Sequence, residues 1–396
     1  MTVDNGHRLF IQRGRIPEAH LGPDPDAPAV RPLTAGEARL AVDAFALTAN
    51  NITYAAFGEA MKYWQFFPAG DAALGCLPVW GFATVVESQV EGLGAGRRVW
   101  GYYPAGTHLV VAPSKVSATG FVDGATHRQE LALVYNQYAF CDMDPSWTPA
   151  LEGLQAVLRP LFITSFLIDD FLAENQFFGA RQVLLSSASS KTAFGTARCL
   201  ALRRGTPGSP KIIGLTSAGN IEFVRSLGCY DEVRLYDEVP SLAAHVPTVY
   251  VDFAGNAALR RTIHTHFGDA LSFSSSIGGS HWEDLGSVRD LSGPRPTLFF
   301  APAQIKKRSG PPPEGWGAAE LQRRISEAWT QFIGQVSQGS WVQIEQRPGP
   351  QAALQCYREM LVGGTDARHG LVLNMRKLPT TALASGLVSF WARCTH

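Results

Sequence analysis

The chain has 396 residues, 45% of them hydrophobic and only 17% charged, with 34 basic and 34 acidic side chains in balance. That length exceeds one ordinary domain and points to two or more, with enough apolar material for real cores. Zero formal net charge excludes a basic field for nucleic acid or a membrane surface, and no uncharged apolar run reaches the roughly eighteen residues of a transmembrane helix.

The first stretch, MTVDNGHRLFIQRGRIPEAH, carries charge within its apolar segment, unlike a secretory signal. The cysteines Cys76, Cys141, Cys199, Cys229, Cys356 and Cys394 are scattered and form no C-x-x-C pair, so a reduced, cytoplasmic compartment is expected. From about residue 30 to 115 the chain reads as β-rich. GEARLAVDAFALTANN (36–51) alternates apolar and polar side chains, and the run 77–113 breaks into short apolar strands around Gly92, Gly94 and Gly96. A small, strongly bent sheet or barrel follows. Residues 114–160 are less regular and rich in Tyr, Phe and Trp.

Near residue 161 the rhythm changes. A helix over LFITSFLIDDFLAENQ precedes VLLSS (183–187), a helix over 192–204, KIIGLTS (211–217), a helix over 219–228 and EVRLYDEV (232–239). TVYVDFAG (248–255), a helix over 257–267, ALSFSSSIG (270–278) and a strand PTLFFAP (296–302) continue the pattern. Alternating strands and helices predict βαβ units and a parallel sheet. GPPPEG (310–315) is a proline loop, and 316–336 is an amphipathic helix with Leu321, Ile325, Ala328, Trp329, Phe332 and Ile333 on one stripe. WVQIEQR and HGLVLNM (369–375) read as strands that return to the first domain.

The segment VLLSSASSKTAFGTA (183–197) has the strand–turn–helix layout of a dinucleotide loop, but serines and Lys191 stand where glycines are expected. Ser187, Ser189, Ser190 and Thr192 are small enough to lie beside a pyrophosphate, Ala193 fills the third-glycine place, and Lys191 would either contact a phosphate or block it. The competing reading is a structural turn in which serine caps the helix. The next strand ends at Thr216-Ser217 without the Asp or Glu that grips an NAD ribose, and Asn220 and Arg225 follow. That pattern favours NADPH.

No Cys/His cluster has metal spacing, so no metal is expected, and His264 and His266 read as surface residues. No G-x-S-x-G occurs either. The aromatic band Tyr54, Tyr63, Trp64, Phe66, Phe67, Tyr135 and Tyr138 reads as a pocket for a flat substrate, or equally as core or interface. Lys306-Lys307-Arg308 reads as a solvated loop after a strand.

The order of parts resembles the medium-chain dehydrogenase/reductase superfamily, and within it the zinc-free quinone oxidoreductase branch. GEARLAVDAFALTANNITYAAFGE (36–59), PVWGFATVVESQVEGLGAGRRVWGY (78–102), VLLSSASSKTAFGTARCLA (183–201), IIGLTSAGNIEFVRSLGCYDEVRLYDE (212–238) and HGLVLNM carry the resemblance. It is similar to the diverged, uncharacterised DUF2855 family. The resemblance implies an α/β fold, a GroES-like β-rich catalytic domain (1–155 and 339–396) plus a Rossmann-type doubly wound parallel sheet (156–338). The zinc ligands of the metal branch are missing. Asn51 and Tyr54 match the residues that face nicotinamide and substrate in the quinone branch, with Tyr63, Trp64 and Tyr135 in the pocket, and Tyr236 matches a tyrosine at the adenosine end. The implied activity is zinc-independent, NADP(H)-dependent reduction of a conjugated carbonyl or quinone-like small molecule, by a homodimer. The alternatives are a lyase or isomerase with tightly held NADP(H), and a binding protein with a decayed nucleotide site.

Overall fold

The computed structural model describes residues 6–253, 255–277, 291–363 and 366–376. Cys394 and the ends of the expected strands and turns at Ala254 and Gly278 lie outside them. The chain divides into two compact units, one of residues 1–157, 344–365 and 369–396, the other of residues 158–343 and 366–368.

The first unit opens with β1 (His7–Gln12), β2 (Ala19–Pro23), β3 (Ala38–Leu47), α1 (Ala49–Ala56), β4 (Leu74–Cys76), β5 (Pro78–Ser88) and β6 (Arg98–Pro104). It continues with β7 (His108–Val111), β8 (Pro113–Ser114), β9 (Gly120–Asp123) and β10 (Gln137–Phe140). The long strands β3 and β5 pair antiparallel through two register shifts, between Arg39/Leu40 and Val42/Ala44, which bend the sheet. Gly81 sits at this bend because a Cβ there would come 2.1 Å from the Ala44 carbonyl. On its other edge β3 takes β7 along Ala38–Ala41 and the returning strand β18 (His369–Asn374) along Phe45–Leu47. With neighbours on both sides, β3 buries nearly every residue. The expected alternation therefore gives way to continuous burial.

The second unit holds α2 (Glu152–Glu174), whose first residues belong to unit one, then β11 (Gln182–Leu185), α3 (Lys191–Ala201), β12 (Lys211–Thr216), α4 (Ile221–Ser226) and β13 (Glu232–Leu235). β14 (Thr248–Asp252), α5 (Ala257–Phe267), β15 (Leu271–Ser276), β16 (Thr297–Leu298), α6 (Ala301–Ser309) and α7 (Ala318–Gly339) follow. The remaining elements are β17 (Gln343–Pro348), α8 (Pro350–Leu361) and β18 (His369–Asn374). The six-stranded sheet runs β13-β12-β11-β14-β15-β16, all parallel. Counted from β11 this is 3-2-1-4-5-6, the doubly wound order, with its switch point between β11 and β14. β11 is buried along its whole length, as a central parallel strand must be. The fold is thus α/β, a bent β-rich domain of the GroES-like kind plus a Rossmann-type sheet.

Three local expectations are corrected. The strand expected over 296–302 is only Thr297–Leu298, because Pro302 stands in the first turn of α6, where its missing N–H costs nothing. Lys306-Lys307-Arg308 is consequently the last turn of a helix and not a loop: Lys307 pairs with Glu174 at 2.6 Å and Arg308 with Asp170 at 2.7 Å. His264 is fully buried between Ser274 Oγ at 3.0 Å and the Ser292 carbonyl at 2.8 Å, since α5 packs that face inward. Among the described residues no helix is long and apolar enough to cross a membrane.

Candidate functional site

At the carboxyl edge of the parallel sheet, β11 runs into the turn Ser186–Ser190 and then α3. Ser187 takes φ +47°, the left-handed conformation that the first glycine of a dinucleotide loop supplies. The turn is fixed from several sides. Ser190 N–H donates to Ser187 O at 2.7 Å, Ala188 N–H to Leu215 O at 3.0 Å, and the Tyr230 hydroxyl to Ala188 O at 2.8 Å. Ser190 is the α3 N-cap, its Oγ accepting from Ala193 N–H at 3.4 Å, so the capping role is realised while its own proton stays free to donate. Gly195 lets α3 lie against α2: a Cβ there would meet Ser165 Oγ at 2.6 Å. Ser189 is buried and Thr192 half-buried at the helix entrance.

A support that the sequence reading missed lies at the switch point. Ser186 Oγ donates to Asp252 Oδ1 at 3.1 Å and accepts from Phe253 N–H at 2.9 Å. Asp252, 1% exposed, accepts in turn from Nε and Nη2 of Arg260 at 3.1 and 2.9 Å. An aspartate closing strand TVYVD was the available signal. At the end of β12, Thr216 is fully buried and its Oγ1 has no partner among the described residues. Ser217 is exposed and accepts from Asn220 Nδ2 at 3.2 Å. Tyr236, after β13, is half-buried, and burial pushes its phenol up.

Three cations in this region differ in their commitments. Lys191 Nζ donates to the Ala367 carbonyl at 2.9 Å. Burial lowers its ammonium to about 8, an effect that Asp366 only partly offsets. The bond places the short segment 366–368 at the first turn of α3. The next residue, Arg368, lays its guanidinium over the Phe223 ring of α4, 5.3 Å from the centroid. Arg225 on the same helix pairs with Glu222 at 2.8 Å.

The first unit carries a second cluster, of aromatic rings. Tyr54 on α1 lies 4.5 Å from Tyr63 and 5.8 Å from Tyr102, and Tyr135 lies 4.7 Å from Tyr102 and 6.0 Å from Tyr63, centroid to centroid. Trp80 packs 5.0 Å from Tyr102 and donates its indole N–H to the Tyr54 hydroxyl at 3.3 Å. Trp80 also lies 5.9 Å from Tyr135, centroid to centroid. The Tyr102 hydroxyl is buried without a partner among the described residues. Desolvation raises all four phenols, Tyr54 and Tyr63 as well as Tyr102 and Tyr135, so they are neutral donors at ordinary pH. Trp80 and Tyr102 were not singled out from the sequence. They sit on paired strands, β5 and β6, where register 80↔102 brings them together.

Two residues read from the sequence take other places. Trp64 makes no ring contact with this cluster. It is sandwiched against Gly58 and Gly75, where a Cβ would come within 2.1 and 2.4 Å of its indole. Asn51 is buried and committed to the backbone: its Oδ1 accepts from Thr48 N–H at 2.8 Å and its Nδ2 donates to Pro78 O at 2.8 Å. It ties the start of α1 to β5.

Residues 45–366 match the model of a family described as protein of unknown function, DUF2855. No curated protein matches the sequence. Solved structures do match. CurA from Vibrio vulnificus in complex with NADPH is 11% identical over 94% of this chain and 100% of that one, with a TM-score of 0.55. CurK enoyl reductase is 15% identical over 94% and 100%, with a TM-score of 0.53. A mycobacterial protein complexed with NADPH is 13% identical over 93% and 99%, with a TM-score of 0.53. The likeness at these identities is one of fold.

Proposed function

The chain belongs to the DUF2855 family and has the fold of the medium-chain dehydrogenase/reductase superfamily, and from that premise we propose that it is an NADP(H)-dependent oxidoreductase acting on a conjugated carbonyl or quinone-like small molecule. The observation that carries the cofactor is the β11–α3 turn, in which a serine holds the glycine conformation at the head of a 3-2-1-4-5-6 sheet. The residues present fit a dinucleotide. The orphaned hydroxyl of Thr216 stands at the strand end where a ribose is gripped, and no carboxylate there repels a 2′-phosphate. The first-turn amides of α3, with Ser189, Ser190 and Thr192, hold the pyrophosphate, and Tyr236 and Ser217 flank the adenosine end. Bound NADPH supplies a hydride.

The aromatic cluster of the first unit binds the flat substrate. Tyr54 and Tyr135 donate hydrogen bonds to the substrate oxygen, polarising it without a metal, and the surrounding rings keep water out. Asn51 acts at one remove, by fixing the helix that carries Tyr54. A protein of this kind binds NADPH in a calorimetric titration and consumes its absorbance when an enone or quinone is added. Absence of any NADPH binding to the folded protein overturns the proposal.

A further inference from the structure

We propose that Arg368 is the residue that grips the cofactor's 2′-phosphate and sets the preference for NADPH over NADH, an inference that rests on the dinucleotide reading above. The end of β12 carries hydroxyls and an amide but no cation: Thr216, Ser217 and Asn220. A doubly charged phosphate in that place needs a positive partner. The cations nearby in sequence are engaged. Arg225 is paired with Glu222, and Arg234 and Lys211 both with Glu232. Lys191, the one cation inside the loop, is turned to the Ala367 carbonyl.

That same bond brings the missing charge. By fastening Ala367 to the first turn of α3, it delivers Arg368 to α4, the helix that follows the end of β12. The guanidinium rests on Phe223, in the first turn of α4, three residues beyond Asn220. Phe223 packs in turn on Phe194 of α3, 6.5 Å between centroids, so the ring beneath Arg368 is seated against the helix that follows the β11–α3 turn. Arg368 is exposed, and no carboxylate pairs with its side chain among the described residues. A planar fork held by an aromatic face and exposed suits a phosphate dianion. Lys191 is a positioning residue for it.

The test compares binding of 2′,5′-ADP with binding of 5′-AMP by calorimetry, in the full-length protein and in Arg368→Ala and Arg368→Lys. The wild-type protein is expected to prefer 2′,5′-ADP by about 10- to 100-fold, Arg368→Ala to lose that preference with 5′-AMP affinity unchanged, and Arg368→Lys to keep part of it. If Arg368→Ala keeps the full preference, Arg368 is not the phosphate ligand although the NADP(H) reading stands. If the wild-type protein binds neither probe, or binds both equally, the NADP(H) reading itself falls and this inference with it. Arg368 is exposed and its backbone N–H, which donates to Asp366 at 2.8 Å, is untouched by either substitution, so folding is preserved.

Discussion

Tyr54 and Ser187 show how single side chains hold two different kinds of information. Tyrosine at position 54 is legible in the sequence, but its ionisation is not. A phenol offered as a proton donor would profit from a lowered pKa, and burial among Tyr63, Tyr102 and Tyr135 raises it instead. Under the proposed function its role is therefore hydrogen bonding from a neutral hydroxyl. Tyr54→Phe should lower kcat by about 10- to 100-fold with the melting temperature little changed. The wild-type rate should show no alkaline fall from Tyr54 below about pH 10, because a raised phenol still holds its proton there. Ser187 is the reverse case. Nothing in a run of serines says which one adopts φ +47°, since only glycine advertises that conformation. Ser187→Val should cost about 1–2 kcal/mol in denaturant unfolding, as a β-branched side chain resists the left-handed region, whereas Ser187→Gly should be neutral or stabilising. Trp64 reads as one more pocket aromatic, yet it fills the space left by two glycines that are distant in sequence.

At the scale of elements, strands and helices of the second unit are legible because each is short, apolar and punctuated. Their ends are less so. Pro302 converts a supposed strand into the first turn of α6, and the basic residues that follow become a bridge to α2. Arg308 and Asp170 are 7% and 6% exposed, joined by two hydrogen bonds, with Gln304 adding a third to the same carboxylate at 2.7 Å. Arg308→Met strands a buried carboxylate and should cost about 3–5 kcal/mol, while the double variant with Asp170→Leu should recover most of it in the same unfolding assay. Lys191 gives a pH signature. Its folded pKa, about 8, lies below its free value, so the unfolded chain binds more protons between about pH 8 and 10.5 and stability rises across that window. The penalty is fully present below pH 8, and the side chain's partial exposure limits it to the order of 2 kcal/mol. Lys191→Met should flatten that rise.

For the whole molecule, ligand linkage supplies the direct check: NADPH at about a hundred times its Kd should add about 2.7 kcal/mol to unfolding, and NADH at equal concentration less. The two-unit layout is readable from the change of rhythm near residue 161, because hydrophobic period distinguishes a bent sheet from βαβ repeats. The three-residue visit of 366–368 to the second unit is not readable at all, since it rests on long-range contacts: a lysine–carbonyl bond spanning 176 positions, the Gln343 N–H on the Arg368 carbonyl at 2.8 Å and the Arg368 guanidinium on Phe223. That visit bears on how such a gene can be cut and rejoined. A recombinant joined at residue 343 inherits the six parallel strands and the loop, but loses the acceptor of Lys191 and the arginine beside it. A graft of this fold into a new host keeps the Lys191 contact only if it carries the distant tripeptide along.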